Sequence, residues 1–176
     1  MKINSGPLRI MIVAIFLLTA VKAAISNTDR RYWLNLSRSE PLGLYVVTPL
    51  HGNLKRGETV LMKCPEGFER YLYGRKWLPE GWPLFKTVGA VTGDTFCVSQ
   101  KEFAVQGKPL GPVYSTDRKG LPLPVLRGCR TVREDHFLPV ATGLKSSFDG
   151  RYFDAVPVST VIGKARPVLM FAQEGK

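Results

Sequence analysis

The chain has 176 residues, of which 44% are hydrophobic and 13 are prolines, and its net charge is +11. A chain of this size can bury one good hydrophobic core, so we predict one compact globular unit. A basic excess of this size suits either nucleic acid or an anionic lipid surface. Direct nucleic-acid binding is not expected, because no Lys/Arg tract exceeds two residues and no nucleic-acid-binding motif accompanies the charge.

An uncharged apolar run from Ile10 to Val21 dominates the N-terminal region. Lys2 and Arg9 precede it, Lys22 follows it, and no acidic residue occurs among the first 24. A basic stretch ahead of an apolar one is typical of an export signal. The run is shorter than the roughly 20 residues of a comfortable membrane span. We therefore predict that residues 1–26 are an export signal or a membrane anchor and that residues 27–176 form the globular domain; cleavage of the segment is left open.

The rest of the chain has the pattern of a mainly β protein. Short runs rich in β-branched residues are bounded by turns that contain Gly, Pro or Asn. They predict strands at residues 42–47, 59–63, 84–91, 95–98, 102–105 and 161–170. One amphipathic helix is predicted over residues 66–78, and the prolines at 109, 112, 122 and 124 predict a long irregular segment. Many short strands favour an antiparallel barrel or coiled sheet.

The first candidate functional segment is the turn around Ser39. The sequence there has the order Ser-x-Pro-x-Gly-x-Tyr, formed by Ser39, Pro41, Gly43 and Tyr45. A serine before a proline is also a common way to open a turn. Ser39 alone is therefore compatible with either a nucleophile or a turn hydroxyl.

The second candidate is Lys86, which lies inside an apolar, β-branched run. A lysine in such a strand is costly to keep charged, so its pKa should fall and its amine can serve as a base for a serine hydroxyl. The alternative is a solvated ammonium that snorkels from a strand edge. Gly93 and Asp94 follow, and we predict a turn there that leads the chain away from the lysine strand.

A third segment has the order Ser-x-Asp-x-Arg-Tyr-aromatic, formed by Ser147, Asp149, Arg151, Tyr152 and Phe153. By itself, the Asp–Arg pair could be an ordinary surface ion pair. The three segments together, in this order, resemble the serine–lysine signal peptidase superfamily and, within it, the TraF-type peptidases of bacterial conjugation. The resemblance implies a coiled antiparallel sheet with one or two short helices, and it spans roughly residues 32 to 171.

The resemblance also implies a role for each residue of the site. Ser39 would be the nucleophile and Lys86 its general base, with Ser147 orienting the lysine. Asp149 and Arg151 would brace the catalytic strands. The Ser39 backbone N–H and the Ser37 hydroxyl would hold the oxyanion, although Ser37 could equally be a turn hydroxyl. Neither a cofactor nor a metal is implied.

The partners implied by the resemblance are a membrane-inserted pilin precursor, the inner-membrane surface and the conjugative transfer machinery. The enzyme would be periplasmic, and it would mature the pilin precursor and could close it into a ring. Two alternatives remain, namely a general signal peptidase and a catalytically inactive scaffold of pilus assembly. Glu40 departs from the pattern, because many relatives have a methionine there beside the substrate pocket.

Cysteine and histidine usage narrows the chemistry. Cys64, Cys97 and Cys129 allow at most one disulfide within the chain. Without a Cys-x-x-Cys pair or clustered histidines, a zinc site is not expected. Many relatives of the TraF type carry a second cysteine shortly before the lysine segment, which could pair with the one at Cys64. This chain lacks that second cysteine, and Cys97–Cys129 is therefore the pair that we expect from the resemblance. His51 and His136 belong to no Ser-His-Asp motif, and His136 is expected at the start of a strand.

Overall fold

The computed structural model describes residues 6–26 and 29–171. The chain divides into two compact units, Met1–Arg30 and Arg31–Lys176. The first contains helix α1, Gly6–Ser26, which includes the apolar run. Within the described ranges, no helix has both the length and the apolar character that a membrane crossing requires.

The second unit is built around a seven-stranded antiparallel sheet. Its strands are β1 Arg31–Asn35, β2 Gly43–Thr48, β3 Thr59–Met62, β4 Leu84–Val91, β9 His136–Val140, β10 Val156–Pro157 and β11 Val161–Met170. Their order in the sheet is β1-β2-β11-β3-β4-β9-β10. The strand that carries Lys86, β4, therefore lies inside the sheet, and β1, which leads into the Ser39 turn, forms one edge.

A smaller four-stranded sheet is inserted between β4 and β9. It consists of β5 Thr95–Val98, β6 Glu102–Val105, β7 Lys108–Pro112 and β8 Gly128–Thr131, in the order β7-β6-β5-β8. A turn at Gly93, with φ +86°, takes the chain from the large sheet into the small one. The predicted turn is therefore present, although it joins two sheets rather than a paired hairpin. Cys97 lies opposite Cys129 and is bonded to it, as the resemblance implied.

The mainly β prediction is confirmed, and all six predicted strands are present to within one residue at each end. The predicted helix over 66–78 is wrong in extent, since α2 covers only Glu69–Leu72. Lys76 has a φ of +58°, and a Cβ at Gly74 would lie 2.5 Å from the Arg70 carbonyl oxygen, so the chain turns rather than continuing the helix.

The prediction of irregular structure across all four prolines is also wrong in part. Pro109 and Pro112 lie in β7. A proline has no backbone N–H to donate, and β7 is an edge strand, where one side of the ladder needs no donor. Pro122 makes a single bridge to Thr116 in the segment that follows.

An aromatic cluster anchors the third motif to the large sheet. Phe148 stacks on Tyr152 with ring centroids 5.3 Å apart, and it also packs against Phe153 at 5.6 Å. These rings belong to the buried core that includes β3 and β4 side chains, and Tyr152 and Phe153 lie in the short helix α3, Gly150–Phe153. Burial of each such ring contributes about 2 kcal/mol. The segment that carries Ser147 is thereby fixed against the strand that carries Lys86. A 3₁₀ turn, Val158–Thr160, then leads into β11.

Candidate active site

Ser39 lies in the tight turn between β1 and β2, and hydrogen bonds hold this turn from several sides. The Asn35 side-chain amide donates to the Pro41 carbonyl at 2.9 Å, and the Tyr45 hydroxyl donates to the same oxygen at 2.8 Å. The Gly143 N–H donates to the Ser39 carbonyl at 3.0 Å. The Ser39 side chain is only partly buried, so the turn presents the hydroxyl at an accessible position.

Lys86 is buried in the middle of β4 with 1% of its surface exposed. The alternative of a snorkelling, solvated lysine is therefore wrong. Burial lowers the pKa of the Lys86 ammonium to about 8, while the negative charges of Asp149 and Glu40 partly oppose the shift. At pH 7, about one lysine in ten is then neutral and able to accept a proton.

Ser147 connects the other two residues. Its Oγ lies 2.8 Å from the Ser39 Oγ and accepts a hydrogen bond from the Lys86 Nζ at 2.9 Å. The structure thus brings together three predicted residues that are far apart in the sequence, in the order Ser39, Ser147, Lys86. The Ser147 side chain is buried, which shields the link between serine and lysine from competing water.

Asp149 and Arg151 form a buried, two-pronged ion pair directly behind Ser147. The Arg151 Nε donates to Oδ1 at 2.8 Å and Nη2 donates to Oδ2 at 3.0 Å, with both side chains at most 1% exposed. Arg151 also donates to the Pro112 and Lys145 carbonyls, each at 2.7 Å. The surface-pair alternative is wrong. The pair joins the Ser147 segment to β7 of the small sheet.

Ser37 is the one predicted site residue whose side chain is directed elsewhere. Its hydroxyl and its backbone N–H both donate to the Asn35 Oδ1, each at 3.0 Å. The Asn35 side chain thus accepts from the backbone two residues further on, as in an Asx turn, and the Ser37 hydroxyl adds a second bond to the same oxygen. An oxyanion role for Ser37 stays a prediction, and it would require the hydroxyl to leave Asn35.

Glu40 was interpreted from the sequence as a neighbour of the substrate pocket, but its carboxylate is directed inward. The side chain is 2% exposed and accepts hydrogen bonds from the hydroxyls of Thr87 and Thr142 at 3.0 and 2.7 Å. Burial raises the pKa of this carboxyl, and its hydrogen bonds and the Lys86 charge oppose the shift.

A mostly apolar cleft of ≈ 260 Å³ borders the Ser39 turn and β4. It is lined by Trp33, Leu34, Asn35, Leu36, Ser37, Trp77, Leu78, Pro79, Trp82, Pro83 and Phe85. Ser37 and Phe85 are close sequence neighbours of the candidate nucleophile and base. A second cavity of ≈ 420 Å³ is lined by Lys63, Cys64, Glu69, Tyr73 and their neighbours, and by none of the predicted site residues.

Comparison with known proteins identifies the family of this chain. The family model described as signal peptidase, peptidase S26, matches residues 6–170. The chain therefore belongs to the signal peptidase family, peptidase S26. This is a family of peptidases, and the superfamily suggested by the sequence motifs is confirmed.

Its similarity to curated proteins is more specific and identifies it as TraF-type. The chain is 34% identical over 149 residues to a conjugal transfer protein TraF of Agrobacterium fabrum (strain C58 / ATCC 33970), covering 80% of this chain and 83% of the relative. It is 33% identical over 168 residues to the conjugal transfer protein TraF of Agrobacterium tumefaciens (strain 15955), covering 90% and 92%. A signal peptidase I from Enterococcus faecalis V583 aligns with a TM-score of 0.39 at 15% identity, covering 65% of this chain and 98% of that one.

Proposed function

We propose that this protein is a serine endopeptidase and acyltransferase that matures a conjugative pilin precursor, with Ser39 as nucleophile and Lys86 as general base. The observation that carries the proposal is the hydrogen-bonded series Ser39–Ser147–Lys86, which ends on a buried amine whose pKa is about 8. A base with a pKa near the working pH is suited to proton transfer.

The first half of the reaction follows from this geometry. Neutral Lys86 takes up a proton, relayed by the Ser147 hydroxyl, as the Ser39 Oγ attacks a peptide carbonyl. The Ser39 N–H stabilises the resulting oxyanion, and Ser37 is the second donor once it turns from Asn35. Collapse of the intermediate breaks the C–N bond, and the Lys86 ammonium returns the proton to the leaving amine. An acyl-enzyme on Ser39 results.

The second half depends on the acceptor that reaches the acyl-enzyme. Water gives hydrolysis, with Lys86 again taking the proton. A peptide amine gives a new amide bond, and the amino terminus of the same substrate would close it into a ring. Limited access of water to the acyl group favours the amine, and the buried Ser147–Lys86 side of the site limits that access.

The shape of the site supports a peptide substrate. The cleft beside Ser39 is apolar and aromatic, as expected for binding an apolar stretch of peptide. Strand β1 is an edge strand next to this cleft, and edge strands can pair with an extended peptide.

The pilin precursor and the location are proposed from the relatives. Proteins named for conjugal or plasmid transfer connect this chain to conjugation, where a pilin must be matured. We place the enzyme on the periplasmic side of the inner membrane. Apolar side chains exposed on and just after β1 and at the end of β11, among them Leu34, Leu36, Leu169 and Met170, would contact lipid there, together with the basic surface.

The test is to co-express the pilin precursor of the same transfer system with variants of the full chain. Ser39→Ala and Lys86→Met should each lower the rate of maturation at least about a thousandfold, and the double variant should be no worse, because the two residues act as a unit. Two single variants at exposed positions, Ser159→Ala and Lys101→Met, are the matched controls and should process the precursor normally.

Precursor and product are followed by immunoblot and mass spectrometry. A product lighter than the linear one by a single water shows ring closure. Normal processing by Ser39→Ala would reject the enzyme assignment in favour of the scaffold. Equal processing of unrelated secretory precursors would instead identify a general signal peptidase, the function that the family description favours.

A further inference from the structure

Glu40 is a buried carboxylate that the proposed mechanism does not use. It belongs to the Ser39 turn, and its side chain contacts the other two segments of the site. It follows Ser39 directly in the sequence. Its Oε1 accepts from Thr87, the residue after Lys86, at 3.0 Å. Its Oε2 accepts from the hydroxyl of Thr142, at the start of the segment that carries Ser147, at 2.7 Å. One side chain thus links neighbours of all three residues in the hydrogen-bonded series.

The side-chain oxygens of Glu40 accept hydrogen bonds from three donors, and an ionised carboxylate can satisfy all of them. Two hydroxyls donate to it, and the Thr142 N–H adds a longer contact of 3.4 Å. A carboxylate can accept all three, because it has two oxygens and no proton to place. The link would be weaker for a neutral side chain, since hydrogen bonds to an ionised acceptor are the stronger ones.

The charge of Glu40 also acts on the base. Lys86 and Tyr45 are the titratable groups that face the Glu40 carboxylate, and Asp149 and Arg151 are the further charges that act on Lys86. Attraction between the Glu40 carboxylate and the Lys86 ammonium favours the protonated amine.

We infer that Glu40 is a positioning residue that holds the Ser39 turn, strand β4 and the Ser147 segment in the geometry needed for proton transfer. The inference rests on the proposed serine–lysine mechanism. Glu40 acts in two separable ways. Its length spans the gap between Thr87 and Thr142, and its negative charge, like that of Asp149, raises the pH at which Lys86 becomes neutral.

Two substitutions separate length from charge. Glu40→Asp keeps the charge but is one methylene shorter, so it cannot reach both threonines. Glu40→Gln keeps the length but removes the charge. The matched control is Glu58→Gln, because Glu58 pairs with Lys164 and contacts none of the three site segments through its side chain.

Full-length variants in detergent are assayed on a peptide that spans the pilin cleavage site, whose position is obtained from the mass of the mature product. For Glu40→Asp, kcat should fall about 10- to 100-fold with KM little changed, because misplacement of the reacting groups costs that much. The acid limb of its pH profile, where kcat/KM falls as Lys86 becomes protonated, should keep the pH midpoint of the wild type. For Glu40→Gln, the acid limb should move to lower pH, because Lys86 loses a neighbouring negative charge. Glu58→Gln should match the wild type in both.

A purely structural role would lower the folded fraction without moving the pH profile, so rates are expressed per folded enzyme, determined by near-ultraviolet circular dichroism. Unchanged kcat in Glu40→Asp together with an unchanged acid limb in Glu40→Gln would overturn the inference. If either substitution prevents folding, Thr142→Val removes one donor and leaves Glu40 intact. It should then lower kcat several-fold, and wild-type kcat in that variant would also overturn the inference. A wrong serine–lysine mechanism would be recognised separately, because Ser39→Ala would then retain its activity.

Discussion

At the scale of single residues, Lys86 is held in the fold at a cost to stability. An ammonium surrounded by apolar strands has lost its hydration, and for this reason its pKa is about 8 rather than 10.5. A difference of this size corresponds to about 3 kcal/mol of destabilisation when the lysine is protonated in both folded and unfolded chains. The residue that we propose as the general base is therefore one that the fold would be more stable without.

Replacement of Lys86 by methionine should accordingly stabilise the protein while abolishing activity. At pH 7, the free energy of unfolding of Lys86→Met should exceed that of the wild type by about 2 to 3 kcal/mol. Between pH 8 and 10.5 the unfolded wild-type chain still holds the proton that the folded chain has lost, so wild-type stability rises with pH relative to the variant. The difference should thus disappear above pH 10.5. Urea unfolding of both proteins across this range measures it.

The control for this stability test is Lys101→Met, at an exposed position between β5 and β6. It should leave the free energy of unfolding within about 0.5 kcal/mol of the wild type. A Lys86→Met protein less stable than the wild type at pH 7 would contradict the depressed pKa.

The residues of the site differ in how far the sequence could predict them. Ser39, Lys86 and Ser147 lie in motifs that resemble a known family, and the structure places Ser147 within hydrogen-bonding distance of both Ser39 and Lys86. Glu40 could not be predicted to turn inward, because the partners that satisfy it, Thr87 and Thr142, lie 47 and 102 residues away. A lone acid beside a proline carries no local pattern that indicates burial.

At the scale of elements, strands with a local apolar, β-branched pattern were predictable and strands defined by their neighbours were not. β4 is a mostly apolar run around Lys86 with three β-branched residues, Thr87, Val88 and Val91, and it was predicted with its observed bounds. β9 contains Pro139, which pairs with Val88 beside an irregularity in the ladder. A proline is normally excluded from an inner strand because it has no N–H for the ladder. It is accommodated here beside the irregularity in the pairing with β4, which the sequence does not reveal. His136 does begin this strand, as predicted.

The disulfide between Cys97 and Cys129 should stabilise the small sheet. Cys97 and Cys129 join β5 to β8 across a separation of 32 residues. Closure of a loop of this length contributes about 3 to 4 kcal/mol in the chain-entropy account. Cys97→Ser combined with Cys129→Ser should therefore lower the free energy of unfolding by about 3 kcal/mol, as measured by urea unfolding of the oxidised proteins.

The same double variant should retain activity at low temperature, because its strands belong to the small sheet and the Ser39–Ser147–Lys86 series does not. Cys64→Ser is the control and should leave stability nearly unchanged, since Cys64 is outside the disulfide. Loss of activity in the double variant while it remains folded would show that the small sheet positions the site.

At the scale of the whole molecule, we predict that the N-terminal segment keeps the protein at the membrane in addition to serving as an export signal. Helix α1 has apolar side chains exposed along Ile10–Leu18, and basic residues flank the apolar run. The substrate that we propose, a pilin precursor, would itself be inserted in the membrane until it is processed. Holding enzyme and substrate at one surface raises their effective concentration.

Residues 27–176, exported by a foreign cleavable signal, should therefore keep their fold but process the precursor poorly in cells. We expect the ratio of mature to precursor pilin to fall at least about tenfold at equal enzyme levels, because the membrane-bound substrate is no longer met by a tethered enzyme. Fusion of the same residues to an unrelated membrane anchor should restore the ratio, since the effect depends on confinement and not on the sequence of the segment. Immunoblots of the three strains measure it. Equal ratios with and without an anchor would show that residues 1–26 serve only for export, and that the basic and apolar surface of the globular unit is sufficient to bring the site to its substrate.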